Sequence, residues 1–353
     1  MNSDKIEISG GGFRYDAHVG RGLLRTSGAL VRGMVRGNRA AIITDANIPA
    51  AVVETVAESL ARSNFKTARI VIAPGENAKS LRELERACGE MLECDRSSVV
   101  VGIGGGVVGD LSGFVAAIFH RGISHVQIPT TLLAMVDSSI GGKTAVNLAG
   151  GKNLVGAIHH PVLVLADLDV LTSLPPDEMR QGYAEIVKHA VIADAAMFEE
   201  LRRKAKIDLD ALIPRNIRIK ASFVSTDDRD TSGKRALLNF GHTIGHGIEQ
   251  ASGYTMSHGD CVSLGMVAAS RISARRAGLP AQEVNEIIAL LQRFSLPTAL
   301  PITLNRAQIV CALQRDKKFE DGMVRFVVTP GIGRAFVSQE VGMSDIREVI
   351  EVM

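Results

Sequence analysis

Between residues 39 and 131 short runs of β-branched and aliphatic residues alternate with longer amphipathic stretches, a pattern that fits a parallel sheet covered by helices and little else. The runs at 40–44, 68–72, 98–103 and 125–128 are almost continuously apolar, as a strand buried on both faces requires. Helical periodicity fills the gaps at 48–63, 79–93 and 107–118. After a further apolar run at 162–166, the pair Pro175-Pro176 punctuates the chain and the character changes. Helices are predicted at 177–193, 239–251, 258–277, 283–293 and 305–315. One β-rich exception at 324–337, around Pro330 and Gly333, reads as a small hairpin. The expected organisation is an α/β domain over 1–174 and a mainly α-helical domain over 175–353, a natural division for a chain of 353 residues.

Composition narrows the function. Forty basic residues balance 38 acidic ones with no basic run, so a nucleic-acid partner is not expected. Cys88, Cys94, Cys261 and Cys311 include no C-x-x-C pair, which indicates neither a disulfide framework nor a thiolate zinc site. Without an apolar leader segment or a run of about 18 apolar residues, neither secretion nor a membrane partner is expected, and a cytoplasmic location is.

Four segments carry the chemistry. GGGVVGD at 104–110 follows a strong strand and opens a helix. Its glycines let an anion approach the backbone, and the helix N-terminus offers free N–H groups, a good seat for a dinucleotide pyrophosphate. A crowded strand-to-helix packing turn would give the same letters, and no acidic residue closes the next strand. PTTLLAMVDSSIGGKTAVN at 129–147, continued by Gly151-Lys152-Asn153, reads as a strand-end loop. There Lys143 and Lys152 suit a phosphate or carboxylate and Asp137 a hydroxyl, unless the loop is merely solvated. In AEIVK at 184–188, Glu185 and Lys188 share one face of an apolar helix, which suits either an ion pair or a metal ligand beside its neighbour. NFGHTIGH at 239–246, followed by HGD at 258–260, places three of nine histidines within 17 residues. The i, i+4 spacing alone nominates His242 and His246 as ligands of a divalent metal.

Taken together, these ordered blocks resemble the dehydroquinate synthase family of sugar phosphate cyclases, from the Asp45 loop to residues 315–318. The resemblance implies an N-terminal Rossmann-like NAD domain, a C-terminal helical domain and an active site between them. It also implies one divalent ion, zinc or cobalt, held by Glu185, His242 and His258, with His246 facing substrate as a proton relay. By the same resemblance Asp45, Glu76, Lys79, Gly104, Gly105, Gly106, Asp110, Thr130 and Thr131 line the NAD site. Asp137, Lys143 and Lys152 serve both NAD and substrate, while Asn153, Lys188, Lys220, Arg235, Asn239 and His246 contact substrate. Arg121 matches an arginine that reaches a neighbouring subunit's site, which implies a homodimer, and either Lys317 or Lys318 matches a phosphate contact.

The implied substrate is a seven-carbon sugar-acid phosphate, and the implied reaction gives 3-dehydroquinate and phosphate. It runs through transient oxidation by NAD, β-elimination of phosphate, return of the hydride, ring opening and intramolecular aldol closure. The chain departs from the family pattern at Asp260, where Glu is common, at His189, where Tyr is common, and in a segment at 227–235 that is one residue longer. The alternatives are an aminodehydroquinate or 2-deoxy-scyllo-inosose synthase, a metal-dependent polyol dehydrogenase that would release NADH, and a non-catalytic NAD-binding protein. The lysine set argues against the dehydrogenase, and the same set together with Glu185, His242 and His258 argues against the non-catalytic protein.

Overall fold

A computed structural model describes residues 3–230, 233–314, 319–320 and 323–353. The chain divides into two compact units, Met1–Pro175 with Asp208–Arg229, and Pro176–Ile207 with Asp230–Met353.

The first unit is built on a seven-stranded sheet. It uses β1 (Ser3–Gly10), β2 (Phe13–Gly20), β3 (Arg39–Asp45), β4 (Lys66–Ile72), β5 (Val99–Gly104), β6 (Ser124–Pro129) and β9 (Leu163–Asp167). Their order is β1-β2-β9-β6-β5-β3-β4. All neighbours are parallel except the β1–β2 hairpin. The strands β7 (Lys143–Leu148) and β8 (Gly151–Ile158) form a separate antiparallel hairpin. Helices α1 (Ser27–Met34), α2 (Ala50–Arg62), α3 (Leu81–Gly89) and α4 (Gly106–Ile118) complete the unit's N-terminal part. Ile43, Ile70, Val100, Val108, Leu111 and Val115 pack in one buried core.

The topology fixes where a ligand can sit. The chain runs from β3 outward to β4 and then returns to the other side of β3 as β5, so the strand order reverses there. Parallel pairing aligns Asp45 with Ile72, Thr44 with Ile103 and Gly104 with Pro129. The carboxyl ends of four strands therefore meet along one edge at a switch point, the usual ligand crevice of an open α/β sheet.

The second unit is mainly helical. Its helices are α5 (Pro176–Ala193), α6 (Ala195–Arg203), α8 (His242–Ala251), α9 (His258–Arg276), α10 (Ala281–Arg293), α11 (Arg306–Gln314) and α12 (Met343–Glu351), beside a hairpin of Phe326–Gly331 and Arg334–Ser338. Helix α5 is buried at every position from Ala184 to Ile192, and α9 from Cys261 to Ser270, so both run through the core. Small residues let α8 approach α9: a Cβ on Gly265 would lie 1.8 Å from the Gly241 carbonyl oxygen, and one on Gly245 would lie 2.9 Å from that of Cys261. Among the described residues no helix is long and apolar enough to cross a membrane.

The helix missing from that series, α7 (Leu209–Thr226), belongs to the first unit although the sequence pattern assigned everything after residue 174 to the second. Its contacts and those of the residues just after it give the reason. Arg21 meets Asp210 at 2.9 Å, Arg218 meets Asp4 at 2.9 Å, the backbone of Ser225 sits against Gly10, and past the helix end Asp228 meets His160 at 2.6 Å. The stretch read as one strand-end loop is also more ordered than expected. A turn at Ala134–Ser138 leads into β7, whose Thr144 and Val146 point inward while Lys143 points out.

Candidate active site

The metal candidates all come from the second unit. Glu185 lies on α5, His242 is the first residue of α8 and His258 the first of α9. Their ligand atoms gather within 4.8 Å of one another. Glu185 Oε1 is 3.4 Å from His242 Nε2 and 3.5 Å from His258 Nε2. Ligands about 2.0–2.1 Å from a tetrahedral ion are separated by roughly 3.3–3.4 Å along each edge, so this donor set fits a zinc-sized cation. The Nδ1 of His242 faces the Phe240 carbonyl at 3.3 Å, an outer contact that leaves Nε2 for a metal. His246 falls in a different trio, with Glu249 and His258. Its ring packs edge-on to His242 with centroids 5.4 Å apart.

Electrostatics favour a cation at this point. Burial opposes charge on Glu185, but Lys188 in direct contact and His242 outweigh it and hold the carboxyl well below its ordinary range. Burial also works against a charged His258, yet its carboxylate neighbours Glu185 and Glu249 push it up to about 9. His242 goes the other way, because burial and the Lys188 ammonium prevail over Glu185. Two buried carboxylates thus attract positive charge that a divalent ion could supply in place of a proton. Arg235 is buried and Asn239 half-buried on the 3₁₀ turn Arg235–Asn239 that precedes His242. Lys317 and Lys318 lie outside the described residues.

The other candidates lie in the first unit, most of them along the carboxyl edge of its sheet. Asp45 ends β3 and accepts from the Asn47 N–H at 2.8 Å. Glu76 and Lys79 follow β4, Gly104 ends β5, Gly105 and Gly106 begin α4, and Thr130 and Thr131 follow β6. A Cβ on Gly104 would lie 2.5 Å from Val108 Cγ2, so packing also demands glycine there. Thr131 caps the next turn by accepting from Ala134 N–H at 3.1 Å. The buried Thr130 hydroxyl has no hydrogen-bond partner among the described residues, an opening for a ligand at this edge.

Lys79, 5% exposed, contacts both Asp110 on α4 and the Asn153 side chain. Lys152 Nζ is 3.7 Å from Glu76 Oε2. Lys220 on α7 reaches Asp137 twice, at 2.6 Å to its carbonyl and 2.8 Å to its carboxylate. Residues read from sequence as NAD-lining and as substrate-contacting therefore join in one network. Lys143 is exposed at the head of β7. Arg121 is exposed in the turn Phe119–Arg121, where His120 and Arg121 both adopt positive φ, 50° and 68°. Asn147, which sequence reasoning gave no role, lies at the centre of the Lys79 network. Its only signal was its place directly before Leu-Ala-Gly and six residues before Asn153.

Comparison with known proteins supplies the family context. The 3-dehydroquinate synthase N-terminal profile matches residues 69–181 and the 3-dehydroquinate synthase C-terminal profile matches residues 182–319. A 3-dehydroquinate synthase of Symbiobacterium thermophilum is 44% identical, over 96% of this chain and 98% of that protein. Among solved structures, a 2-deoxy-scyllo-inosose synthase complexed with carbaglucose-6-phosphate, NAD⁺ and Co²⁺ superposes with a TM-score of 0.89. It is 26% identical and covers 99% of each chain. A 2-epi-5-epi-valiolone synthase from Streptomyces hygroscopicus, with NAD⁺ and Zn²⁺ bound, gives a TM-score of 0.86 at 27% identity over 96% of each chain.

Proposed function

The chain belongs to the 3-dehydroquinate synthase family, and on that premise we propose that it converts 3-deoxy-D-arabino-heptulosonate 7-phosphate to 3-dehydroquinate and phosphate in the shikimate pathway. The observation that carries the reading is the trio Glu185, His242 and His258, whose 3.4 and 3.5 Å separations suit one tetrahedral cation.

Those three residues hold one divalent ion, zinc or cobalt, which when bound supplies Lewis acidity toward a substrate hydroxyl. NAD supplies a transient hydride acceptor and is regenerated within the cycle. Around them the chain binds, orients and moves protons. The carboxyl edge of the first unit's sheet, with Asp45, Glu76, Lys79, Gly104, Gly105, Gly106, Asp110, Thr130 and Thr131, takes the dinucleotide, and the open Thr130 hydroxyl supports that assignment. Lys152, Asn153, Lys188 and Asn239 hold the phosphate before it leaves by β-elimination. Lys143, Lys220 and Arg235 hold the carboxylate and with it one substrate conformer, which favours the intramolecular closure. Asp137, anchored by Lys220, accepts from a substrate hydroxyl, and His246 relays a proton. The working form is a cytoplasmic homodimer in which Arg121 contributes to the neighbouring subunit's site.

The test uses purified protein with the heptulosonate phosphate, catalytic NAD and zinc or cobalt. Phosphate should appear in proportion to substrate without net NADH, and EDTA should abolish it. Glu185→Gln should lose metal and phosphate release together, each by at least tenfold. Net NADH accumulation, or full activity in a variant stripped of metal, overturns the reading.

A further inference from the structure

We propose that Asn147 is a positioning residue that locks the Glu76–Lys79 turn to the Lys152-Asn153 turn and so sets the spacing between the dinucleotide-lining and phosphate-holding groups. The inference rests on the roles given above to those four residues.

Asn147 is the penultimate residue of β7, and two of its polar groups bind the Glu76–Lys79 turn while a third binds the Lys152-Asn153 turn. Its backbone N–H donates to the Lys79 carbonyl at 2.8 Å, within an isolated parallel bridge between Asn147 and Ser80. Its side-chain Nδ2 donates to Glu76 Oε1 at 2.8 Å. Its Oδ1 accepts from the Asn153 N–H at 2.9 Å. One short side chain thus offers a donor to a carboxylate and an acceptor to a backbone amide. Among side chains of this length only the amide does both: aspartate keeps the acceptor and loses the donor, and alanine loses both.

Two consequences follow from this arrangement. Asn153 has φ of 56°, a left-handed conformation that asparagine tolerates better than most non-glycine residues but that still needs support to stay populated. The bond from its N–H to Asn147 is such a support, and in that conformation its side chain reaches Lys79. Glu76 in turn divides its carboxylate, Oε1 toward Asn147 at 2.8 Å and Lys79 Nζ at 3.9 Å, and Oε2 toward Lys152 at 3.7 Å. Loss of the Asn147 bond leaves Oε1 with the longer approach to Lys79 and so shifts the carboxylate that faces the Lys152 ammonium.

The test compares Asn147→Asp and Asn147→Ala with wild type by calorimetric NAD titration, steady-state kinetics and metal analysis. Asn147→Asp preserves the volume but sets a carboxylate against Glu76. NAD Kd and substrate KM should each rise about tenfold, the range expected for a lost hydrogen bond to a charged group. Metal per chain should stay at the wild-type value and kcat should change less than KM, which a general loss of structure would not produce. Asn147→Ala should show the same pattern with a larger rise. If the alanine variant fails to fold, the near-isosteric aspartate decides. Both constants within twofold of wild type in Asn147→Asp, while wild type binds NAD, overturn the role of Asn147 alone. A wild-type chain that takes up no NAD overturns the underlying assignment as well.

Discussion

Gly265→Ala should strip the metal from a chain whose ligands are all intact. The Cβ it adds would lie 1.8 Å from the Gly241 carbonyl oxygen and 2.8 Å from the Gly245 nitrogen, both backbone atoms that no rotamer change can move aside. Carbon and oxygen in close contact settle near 3.3 Å, so the start of α8 must retreat from α9 by about 1.5 Å. Gly241 directly precedes His242, and His258 begins α9, so the retreat acts on the separation of two proposed ligands. Metal sites accept errors of about 0.2 Å in ligand distance, several times less than this shift. Overpacking of a helix contact costs about 1–3 kcal/mol, which lowers the melting temperature by a few degrees without unfolding the chain. The assay is dialysis against chelators of graded strength with metal measured per chain, thermal denaturation alongside, and NAD titration as the control. Metal affinity should fall by at least a hundredfold while NAD affinity, assigned to residues of the first unit, stays within twofold. A variant that keeps zinc within twofold of wild type would refute the claim that the α8–α9 approach sets the ligand geometry.

Two further outcomes test the fold itself. His125 is wholly buried on β6 with Nε2 3.2 Å from the Ser112 hydroxyl; burial, and secondarily His159, push its pKa down to about 3. The unfolded chain takes up this proton below about pH 6.5 and the folded chain does not until near 3, so acid favours unfolding across that window. Relative to His125→Gln, wild type should lose about 2 kcal/mol between pH 7 and pH 5 by urea titration; parallel profiles would show that His125 is not held neutral. On α1, Gly28→Ala would set a Cβ 1.9 Å from the Ser59 carbonyl oxygen, whereas Gly33→Ala, five residues on, meets nothing within 4 Å. The first should cost about 1–3 kcal/mol and the second gain about 0.5–1 kcal/mol, and urea midpoints in the opposite order would contradict this packing of α1 on α2.

The central strands were legible because burial on both faces leaves an apolar run that no other element imitates. β3 is buried at all five interior positions and β5 at all six of its residues. The outer elements lack that signature. In β1 and β2 the inward residues Ile6, Ile8, Tyr15, Ala17 and Val19 alternate with polar ones, in strands joined by the Gly11-Gly12 turn near the N-terminus. β7 buries only Thr144 and Val146, so its lysine and the Gly141-Gly142 pair before it spoke for a loop. The return of α7 to the first unit was illegible for another reason. A change from mixed to helical pattern marks where composition shifts, while the contacts of Arg218 with Asp4 and of His160 with Asp228 span more than 60 residues of sequence.

The proposed metal trio shows the same limit at closer range. Local spacing can report only neighbours on one helix, which is why periodicity nominates His242 with His246. The resemblance instead pairs His242 with His258, which opens a different helix. In the structure those two are brought to Glu185 not by any spacing but by glycines at 241, 245 and 265, which let two helix starts approach until their first side chains face one carboxylate. A glycine in a helix reads locally as a weakness, costing about 1 kcal/mol against alanine. Its value here lies in a contact between segments some 24 residues apart, and a motif that retains both the histidines and the glycines preserves that contact where residue spacing says nothing of it.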